Sequence, residues 1–191
     1  QRVRRESQAP HEGVLAEDSW RYTDAGRPLK SAVMMYHKDA FQRYPTRWIH
    51  KCIASIMAQS YRDFDVFELD YGGAGEQIFG AKYQKQLDGR KYHYRHKSLD
   101  NHAEAMNELL NEIFDRHGYD VAFNVNIDDF YARTRFITKV TAIRQGFDIV
   151  SSHFIIIEEN DSEDFISEAE EANDDSVMID RVGAEKYIEV M

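Results

Sequence analysis

Apolar runs of strand length alternate with amphipathic helical segments across residues 31–157, and this alternation constrains the fold most strongly. A crossover between parallel strands usually contains a helix, so the pattern favours a mostly parallel sheet with helices on both faces. We therefore predict an α/β fold, with a polar lead-in over residues 1–30 and one domain over residues 31–191. The predicted strands are residues 32–36, 64–70, 91–97, 121–127 and 148–157.

The helical segments carry apolar residues at intervals of three and four. One begins at Thr46 and ends near Met57, with Cys52 on its buried face. Another is capped by Asp100 and stops at Gly118, where glycine suits the left-handed C-terminal position. A weaker helix covers residues 76–87, and a last one runs from Thr134 to Gly146. The face predicted to be buried in the helix after Asp100 consists of Ala103, Met106, Leu110, Ile113 and Phe114.

Charge and composition exclude several classes of protein. The net charge of −10 argues against a nucleic-acid-binding protein, which needs clustered Lys and Arg. No apolar run approaches the roughly 18 residues of a transmembrane helix, and the polar start does not resemble a signal peptide. The single cysteine, Cys52, suits a reducing compartment. We expect a cytoplasmic or cytosol-facing domain, and the start at Gln1 suggests part of a larger multidomain protein.

Polar side chains follow three of the predicted strands. Tyr36 ends the first strand, Asp70 ends the second, and the adjacent Asp128 and Asp129 follow the fourth. Ligands of parallel α/β folds lie at the carboxyl ends of the strands, so these residues are expected to converge. Two neighbouring carboxylates suit a divalent cation that carries a diphosphate, although an acidic pair also ends strands and caps helices without any ligand. The glycine-rich residues 72–75 are interpreted as a turn at the rim of this site.

Four segments resemble the family-2 glycosyltransferases with the GT-A fold. Residues 55–66, SIMAQSYRDFDV, are similar to the run that joins the first helix to the second strand in that family. Residues 69–73 resemble its acidic strand end, residues 105–107 its Ala-x-Asn element, and residues 126–129 its Asp-x-Asp-Asp element. The likeness covers roughly residues 31–157 in the family's order.

The resemblance implies a Rossmann-like GT-A fold and a metal-dependent glycosyltransferase of the hexosyltransferase type. Such an enzyme moves a sugar from a nucleotide-diphosphate donor to an acceptor hydroxyl, with inversion at the anomeric carbon when a carboxylate serves as the base. It implies UDP as the first nucleotide to test, Mn²⁺ or Mg²⁺ as the cofactor, and a carbohydrate or protein-linked glycan as the acceptor. Two other interpretations stay open, namely a nucleotide-sugar-binding module without full catalytic machinery and another carboxylate–metal α/β enzyme such as a nucleotidyltransferase.

The same resemblance assigns roles to residues of this chain. Met34 and Tyr36 would pack against the base, and Asp70 would bind the base or the ribose. Asp128 and Asp129 would face the diphosphate and its metal, with Asp129 as the direct ligand. The two amides Asn107 and Asn126 would contact the donor sugar or support the metal strand, while a buried structural role for Asn107 is equally compatible.

The chain departs from the family pattern at two positions and lacks an obvious catalytic base. Tyr71 stands where the family has a second acid, and Asn126 stands where it often has an acid. The candidates for the base are Glu163 and Asp164, within an acidic run whose ordinary role is a solvated surface. The alternative is a base beyond Met191, in which case the chain is the nucleotide-binding portion of a longer protein.

Overall fold

The computed structural model describes residues 27–151, except for the side chains of Ala81 and Lys82, and shows a four-stranded parallel sheet. The strands are β1 (Ser31–His37), β2 (Phe64–Asp70), β3 (Tyr92–His96) and β4 (Val121–Val125), in the order β3-β2-β1-β4. Ser31 of β1 is aligned with Phe64 of β2 and with Val121 of β4. Most of the predicted strand 148–157 and the candidate bases Glu163 and Asp164 lie outside the described residues.

Helices lie between successive strands, and one more helix follows β4. They are α1 (Ala40–Arg43), α2 (Thr46–Met57), α3 (Gly80–Gln84), α4 (His102–Leu110) and α5 (Arg135–Arg144). A 3₁₀ turn (Lys85–Leu87) follows α3, and a π-helical segment (Asn111–Arg116) continues α4. None of the helices described between residues 27 and 151 has the length and apolar character needed to cross a membrane.

Both faces of the sheet are covered, and this confirms the predicted α/β fold. Successive residues of β1 point to opposite faces, since strand side chains alternate. Val33 and Met35 pack in the cluster that contains the buried residues of α2 and α5, whereas Met34 and Tyr36 pack in the cluster that contains α4. All seven residues of β1 are buried, which explains its continuous apolar run. Burying a large apolar side chain contributes roughly 1.5–3 kcal/mol.

The structure corrects the prediction for α4. Its N-cap is Asn101 instead of Asp100, because the Asn101 side chain accepts a hydrogen bond from the backbone N–H of Glu104. Ala103 and Phe114 are exposed, and the fully buried stripe is Ala105, Leu109 and Ile113. These positions are four residues apart, and the wider π-helical turn keeps the stripe on the sheet as the segment continues.

The predicted strand 121–127 was too long, and the predicted strand 148–157 can be compared only over residues 148–151. β4 ends at Val125, so Asp128 and Asp129 lie in the turn beyond the strand and are not held by the ladder itself. Residues 148–151, the described start of the predicted fifth strand, form no strand. Both segments contain apolar residues, but polar and turn-forming neighbours interrupt the pairing.

Candidate functional site

The strand order places a crevice between the carboxyl ends of β1 and β4. Strands β2 and β3 lie toward one edge of the sheet from β1, whereas β4 lies next to β1 toward the other edge. Connections leave these two neighbouring strands in opposite directions, and such a switch point is where parallel α/β folds bind ligands. Tyr36 near the end of β1 and Asn124 of β4 lie at this point, and the Asp128–Asp129 turn follows.

Aromatic and polar side chains meet on the α4 side of the crevice. The Tyr36 hydroxyl lies 3.0 Å from Nε2 of His102, and the two rings meet edge to face at 4.6 Å between centroids. Burial raises the pKa of Tyr36, nearby Tyr71 raises it further, and a hydrogen bond with Asn124 opposes the shift. Met34 is 2% exposed, so its side chain fills the core beneath Tyr36.

A short turn after β4 carries the two candidate metal ligands. Asp128 and Asp129 are both exposed. Asn126 Nδ2 donates to Asp129 Oδ2 at 3.0 Å, so this amide orients the Asp129 carboxylate. The Tyr131 hydroxyl accepts from the Asn126 N–H at 2.7 Å and lies 3.0 Å from the Asn126 carbonyl oxygen, to which it donates. The turn is therefore fastened at both ends by its own residues.

The end of α2 holds the segment that follows this turn. Ser55 Oγ accepts a hydrogen bond from the N–H of Tyr131 at 3.0 Å. Gln59 is fully buried, its Nε2 donates to the Ala132 carbonyl at 2.8 Å, and its Oε1 accepts from the Phe136 N–H at 3.0 Å. Ser55 and Gln59 therefore tether the segment that follows the acidic turn to the end of α2.

Arg135 and Cys52 complete the floor of the turn. The Arg135 guanidinium lies 4.0 Å from the centroid of the Tyr131 ring and donates to the Asn124 carbonyl at 3.3 Å. The Cys52 thiol donates to the Asn126 carbonyl at 3.3 Å. Burial, followed by the nearby carboxylates, raises the pKa of Cys52 well above its ordinary value, so the thiol stays protonated and is a structural group.

The carboxylates of the turn fit a cation that is shared with a phosphate ligand. No group of three or more His, Cys, Asp or Glu residues suited to a metal occurs in the described part of the chain, so that part offers no complete protein cage. Mg²⁺ commonly binds through one or two carboxylates and completes its shell with substrate phosphates and water. Two exposed carboxylates beside an open crevice match that donor set.

Asp70 faces the loop after β2 instead of solvent. Its side chain is fully buried, and its carboxylate accepts hydrogen bonds from the N–H groups of Gly72 at 2.8 Å, Glu76 at 2.7 Å and Asp39 at 3.3 Å. Burial by itself would raise the pKa of Asp70, but these N–H groups and His37 bring it below its ordinary value. In this structure Asp70 organises the loop, and its predicted contact with the base or ribose stays a prediction.

The sequence analysis missed three polar residues near the carboxyl ends of β1 and β2, namely His37, Asp39 and Glu68. Asp39 adopts a left-handed backbone conformation with φ of 50°, and its Oδ1 accepts from the N–H groups of Gly73 and Ala74, both at 2.8 Å. Glu68 and His37 are buried at the ends of β2 and β1 and hydrogen bond to each other. An acid inside the otherwise apolar end of β2 was the available signal, because a buried carboxylate requires partners.

The structure gathers some of the predicted site residues and separates others. Burial raises the pKa of Tyr44, and the electrostatic effects of Asp128 and Tyr71 raise it further, which places the three side chains in the same region of the fold. Asn107 is exposed on α4, five residues beyond the helix start at His102, and does not share the turn with Asn126. The group at the crevice is Tyr36, Tyr44, Tyr71, His102, Asn124, Asn126, Asp128 and Asp129.

A recess of about 870 Å³ lies at the opposite edge, beside the amino ends of the strands. Its walls include the basic residues Arg62 and Arg90 and the acids Asp63 and Asp65. Asp65 is already used, since it accepts hydrogen bonds from the Lys91 N–H and from a tyrosine hydroxyl. We favour the carboxyl edge over this recess, because its polar groups converge at the switch point.

Comparisons with known proteins give distant structural likeness only. No protein-family model matches the chain, and no curated protein sequence matches it significantly. Among solved structures, S. aureus TarS 1–349 is similar over 62% of this chain and 33% of its own, with 14% identity and a TM-score of 0.44. The same fragment in complex with UDP is similar over 61% of this chain and 32% of its own, also at 14% identity and a TM-score of 0.44. The chain thus spans about a third of these structures.

Proposed function

We propose that this chain is the nucleotide-sugar-binding portion of a metal-dependent glycosyltransferase similar to family 2. One observation carries the proposal. The Ser55 and Gln59 side chains, which belong to the family-like segment, hold the very segment that follows the Asp128–Asp129 turn. A likeness in sequence and a physical tether therefore concern the same place, beside the switch point of a parallel sheet.

The crevice offers distinct surfaces for the parts of a nucleotide sugar. The rings of Tyr36 and Tyr71 lie on the α4 side and suit a flat heteroaromatic base. Asp128 and Asp129 would hold Mn²⁺ or Mg²⁺, which offsets the charge that develops on a leaving diphosphate. Asn126 orients Asp129 through the bond from its Nδ2, so the amide fixes the ligand without adding charge of its own.

The acceptor side of the reaction is proposed to depend on residues outside 27–151. An inverting transfer needs a base to remove the proton of the acceptor hydroxyl. The candidates Glu163 and Asp164 lie beyond the described residues, as would a base supplied by further sequence. The described part then accounts for donor binding, with UDP-sugar as the first donor to test and a carbohydrate or protein-linked glycan as the acceptor.

Turnover assays separate this proposal from the other enzyme class. We would incubate the chain with UDP-, GDP- and dTDP-sugars, and separately with nucleoside triphosphates and sugar phosphates, each with and without Mn²⁺. The proposal predicts metal-dependent binding of one nucleotide sugar, with slow hydrolysis to the nucleoside diphosphate. Release of pyrophosphate from a triphosphate would indicate a nucleotidyltransferase and contradict the proposal. Asp115→Asn, at an exposed acid on the π-helical segment, is the matched control for substitutions of Asp128 or Asp129.

A further inference from the structure

The loop of residues 71–79, called the rim loop below, is held by the carboxylates of Asp39, Glu68 and Asp70. These three side chains are called the carboxylate ladder. Asp39 binds the N–H groups of the loop at Gly73 and Ala74. Asp70 binds those of Gly72 and Glu76, and Glu68 binds those of Ile78 at 2.6 Å and Phe79 at 3.1 Å. Six backbone donors of one loop are thus satisfied by side chains of β2 and of the turn after β1, in place of any regular secondary structure.

His37 lies between the two buried carboxylates, Glu68 and Asp70. Its side chain is 1% exposed, and Nε2 lies 3.1 Å from Glu68 Oε1. Its other ring nitrogen, Nδ1, lies 3.8 Å from Asp70 Oδ1 and has no hydrogen-bond partner among residues 27–151. The His37 carbonyl also accepts from the Tyr71 N–H at 2.8 Å, so the same residue starts the rim loop.

One imidazole therefore lies beside the two carboxylates that hold the ends of the rim loop. Asp70 holds the start of the loop and Glu68 holds its end, and both carboxylates are completely buried. Buried carboxylates are stable only when donors surround them, and the loss of one donor leaves an uncompensated charge. Tyr92 supplies a further donor to Glu68 at 3.0 Å, and the His37 ring lies within 4 Å of both acids.

We propose that His37 is a positioning residue, which hydrogen bonds to Glu68 beside Asp70 and thereby fixes the rim loop and Tyr71 at the edge of the nucleotide site. The effect on ligand binding rests on the proposed function, whereas the effect on the loop does not. Tyr71 is the loop residue that matters for the site, because its ring packs on the α4 side near Tyr36. Lys38, the next residue after His37, has its Nζ 5.9 Å from the centroid of the Tyr71 ring.

The test compares two substitutions of His37 by amide hydrogen exchange and by UDP titration. His37→Leu removes both nitrogens, whereas His37→Gln keeps an N–H donor that can reach Glu68. We expect the Leu variant to speed exchange at Gly72, Glu76, Ile78 and Phe79 by about tenfold or more, as expected when one buried hydrogen bond is lost. Exchange in α2 stays unchanged, and UDP affinity falls by a similar factor. The Gln variant returns both the loop exchange rates and the UDP affinity most of the way to the wild-type values.

His93→Gln is the matched control, since His93 is also an imidazole on the sheet but stacks on Phe67 away from the rim loop. Unchanged loop exchange in His37→Leu would overturn the proposal, and so would equal acceleration throughout α2, which would indicate only global destabilisation. Loop exchange that rises while UDP affinity stays at the wild-type value would overturn the link to the site. Faster loop exchange in a protein whose wild type binds none of UDP, GDP and dTDP would support the loop role and contradict the proposed function.

A measurement on the wild type covers the case in which His37→Leu does not fold. The amides of Gly72, Glu76, Ile78 and Phe79 should then exchange more slowly than those of the exposed turn at Asp88 and Gly89. Comparable rates in the two segments would overturn the proposal, because the carboxylate ladder would not be holding the rim loop.

Discussion

Because Gly72 has no side chain, the rim loop can pack directly against the carboxylate of Asp39. A Cβ atom at this position would lie 2.3 Å from Asp39 Oδ1, well inside contact distance. The same Asp39 oxygen binds the next two N–H groups of the loop, so the aspartate cannot move without breaking them. At Gly73 an added Cβ would meet nothing within 4 Å. The two neighbouring glycines therefore differ sharply in what they permit.

Gly72→Ala should destabilise the protein by about 2 kcal/mol, since overpacking typically costs 1–3 kcal/mol. Gly73→Ala is the matched control and should change stability by about 0.5 kcal/mol or less. Chemical denaturation of the two variants and the wild type measures both effects. Equal stability of the two alanine variants would show that Asp39 does not occupy the position described.

Individual residues also show where sequence interpretation reaches its limit. Asp70 was recognisable as an acid at a strand end, but only the structure shows its carboxylate turned toward three N–H groups of the chain. Glu68 carried a readable signal, because an ionisable residue stood within a buried strand. Its partners lie in β1, β3 and the rim loop, and such distant pairs have no local signature in one sequence.

Among the elements, α2 has a double role as a wall of the core and as the anchor of the acidic turn. Its apolar spacing was sufficient to predict the helix and its buried face, since Ile49, Cys52 and Ile53 are all fully buried. The polar residues Ser55 and Gln59 lie near its end, and the spacing of apolar residues does not explain their presence there. The structure supplies that reason, because both bond to the segment between β4 and α5.

Gln59→Leu should lower the free energy of unfolding by about 2–3 kcal/mol, because it leaves the Ala132 carbonyl and the Phe136 N–H without their partner. If the tether orients the acidic turn, metal-dependent nucleotide affinity falls as well. Gln42→Leu on the exposed side of α1 is the control and should affect neither quantity. Thermal unfolding and nucleotide titration of both variants provide the comparison, and unchanged stability of Gln59→Leu would contradict the tether.

Lys139 makes the free energy of unfolding depend on pH in the alkaline range. Its Nζ donates to the Val150 carbonyl at 3.1 Å, and burial, reinforced by Arg135, lowers its pKa to about 8. A lysine pKa below its value in the unfolded chain means that the charged form costs stability below pH 8, and this cost is relieved as pH rises. Lys139→Met should therefore stabilise the protein by about 1 kcal/mol at neutral pH, after allowance for the lost hydrogen bond and partial exposure.

The stability difference between Lys139→Met and the wild type should shrink as pH rises above 8. Denaturant unfolding at several pH values between neutral and alkaline conditions measures that trend. A difference that stays constant with pH would mean that packing, instead of the buried charge, determines the effect.

At the scale of the whole described segment, residues 27–151, three carboxylates in different regions have pKa values below their ordinary range. Asp70 would be raised by burial but is lowered by three N–H groups and His37, and Asp120 would also be raised by burial but is lowered chiefly by Arg27. Glu108 is lowered first by its hydrogen bond from Lys97. Such groups stabilise the fold above their unfolded pKa, and the contribution is lost as pH falls through the folded pKa.

The free energy of unfolding should consequently stay level from neutral pH to about 5 and then decrease as pH falls toward 3, given ordinary carboxyl pKa values near 4. Asp70→Asn should flatten part of this decrease, because one of the linked groups no longer titrates. Asp115→Asn serves as the control on an exposed acid. An identical acid profile for Asp70→Asn and the wild type would contradict the depressed pKa of Asp70.

The global arrangement was more accessible from sequence than the site. Alternating runs gave the parallel sheet and its covered faces, since a buried parallel strand such as β1 must be apolar throughout. The end of β4 was placed too late because Ile127 is also buried, although it lies in a turn. Burial alone cannot distinguish a strand residue from an apolar turn residue, and the position of the acidic pair depends on that distinction.

The central claim is that the Asp128–Asp129 turn binds a nucleotide diphosphate through a divalent cation. Calorimetric titration of UDP with and without Mn²⁺ tests it most directly, on the wild type, Asp129→Asn and the control Asp115→Asn. The account predicts Mn²⁺-dependent binding that falls at least about tenfold, or roughly 1.4 kcal/mol, in Asp129→Asn and is unchanged in Asp115→Asn. Equal UDP affinity of the wild type and Asp129→Asn, or no binding of UDP, GDP or dTDP by the folded wild type, would contradict it.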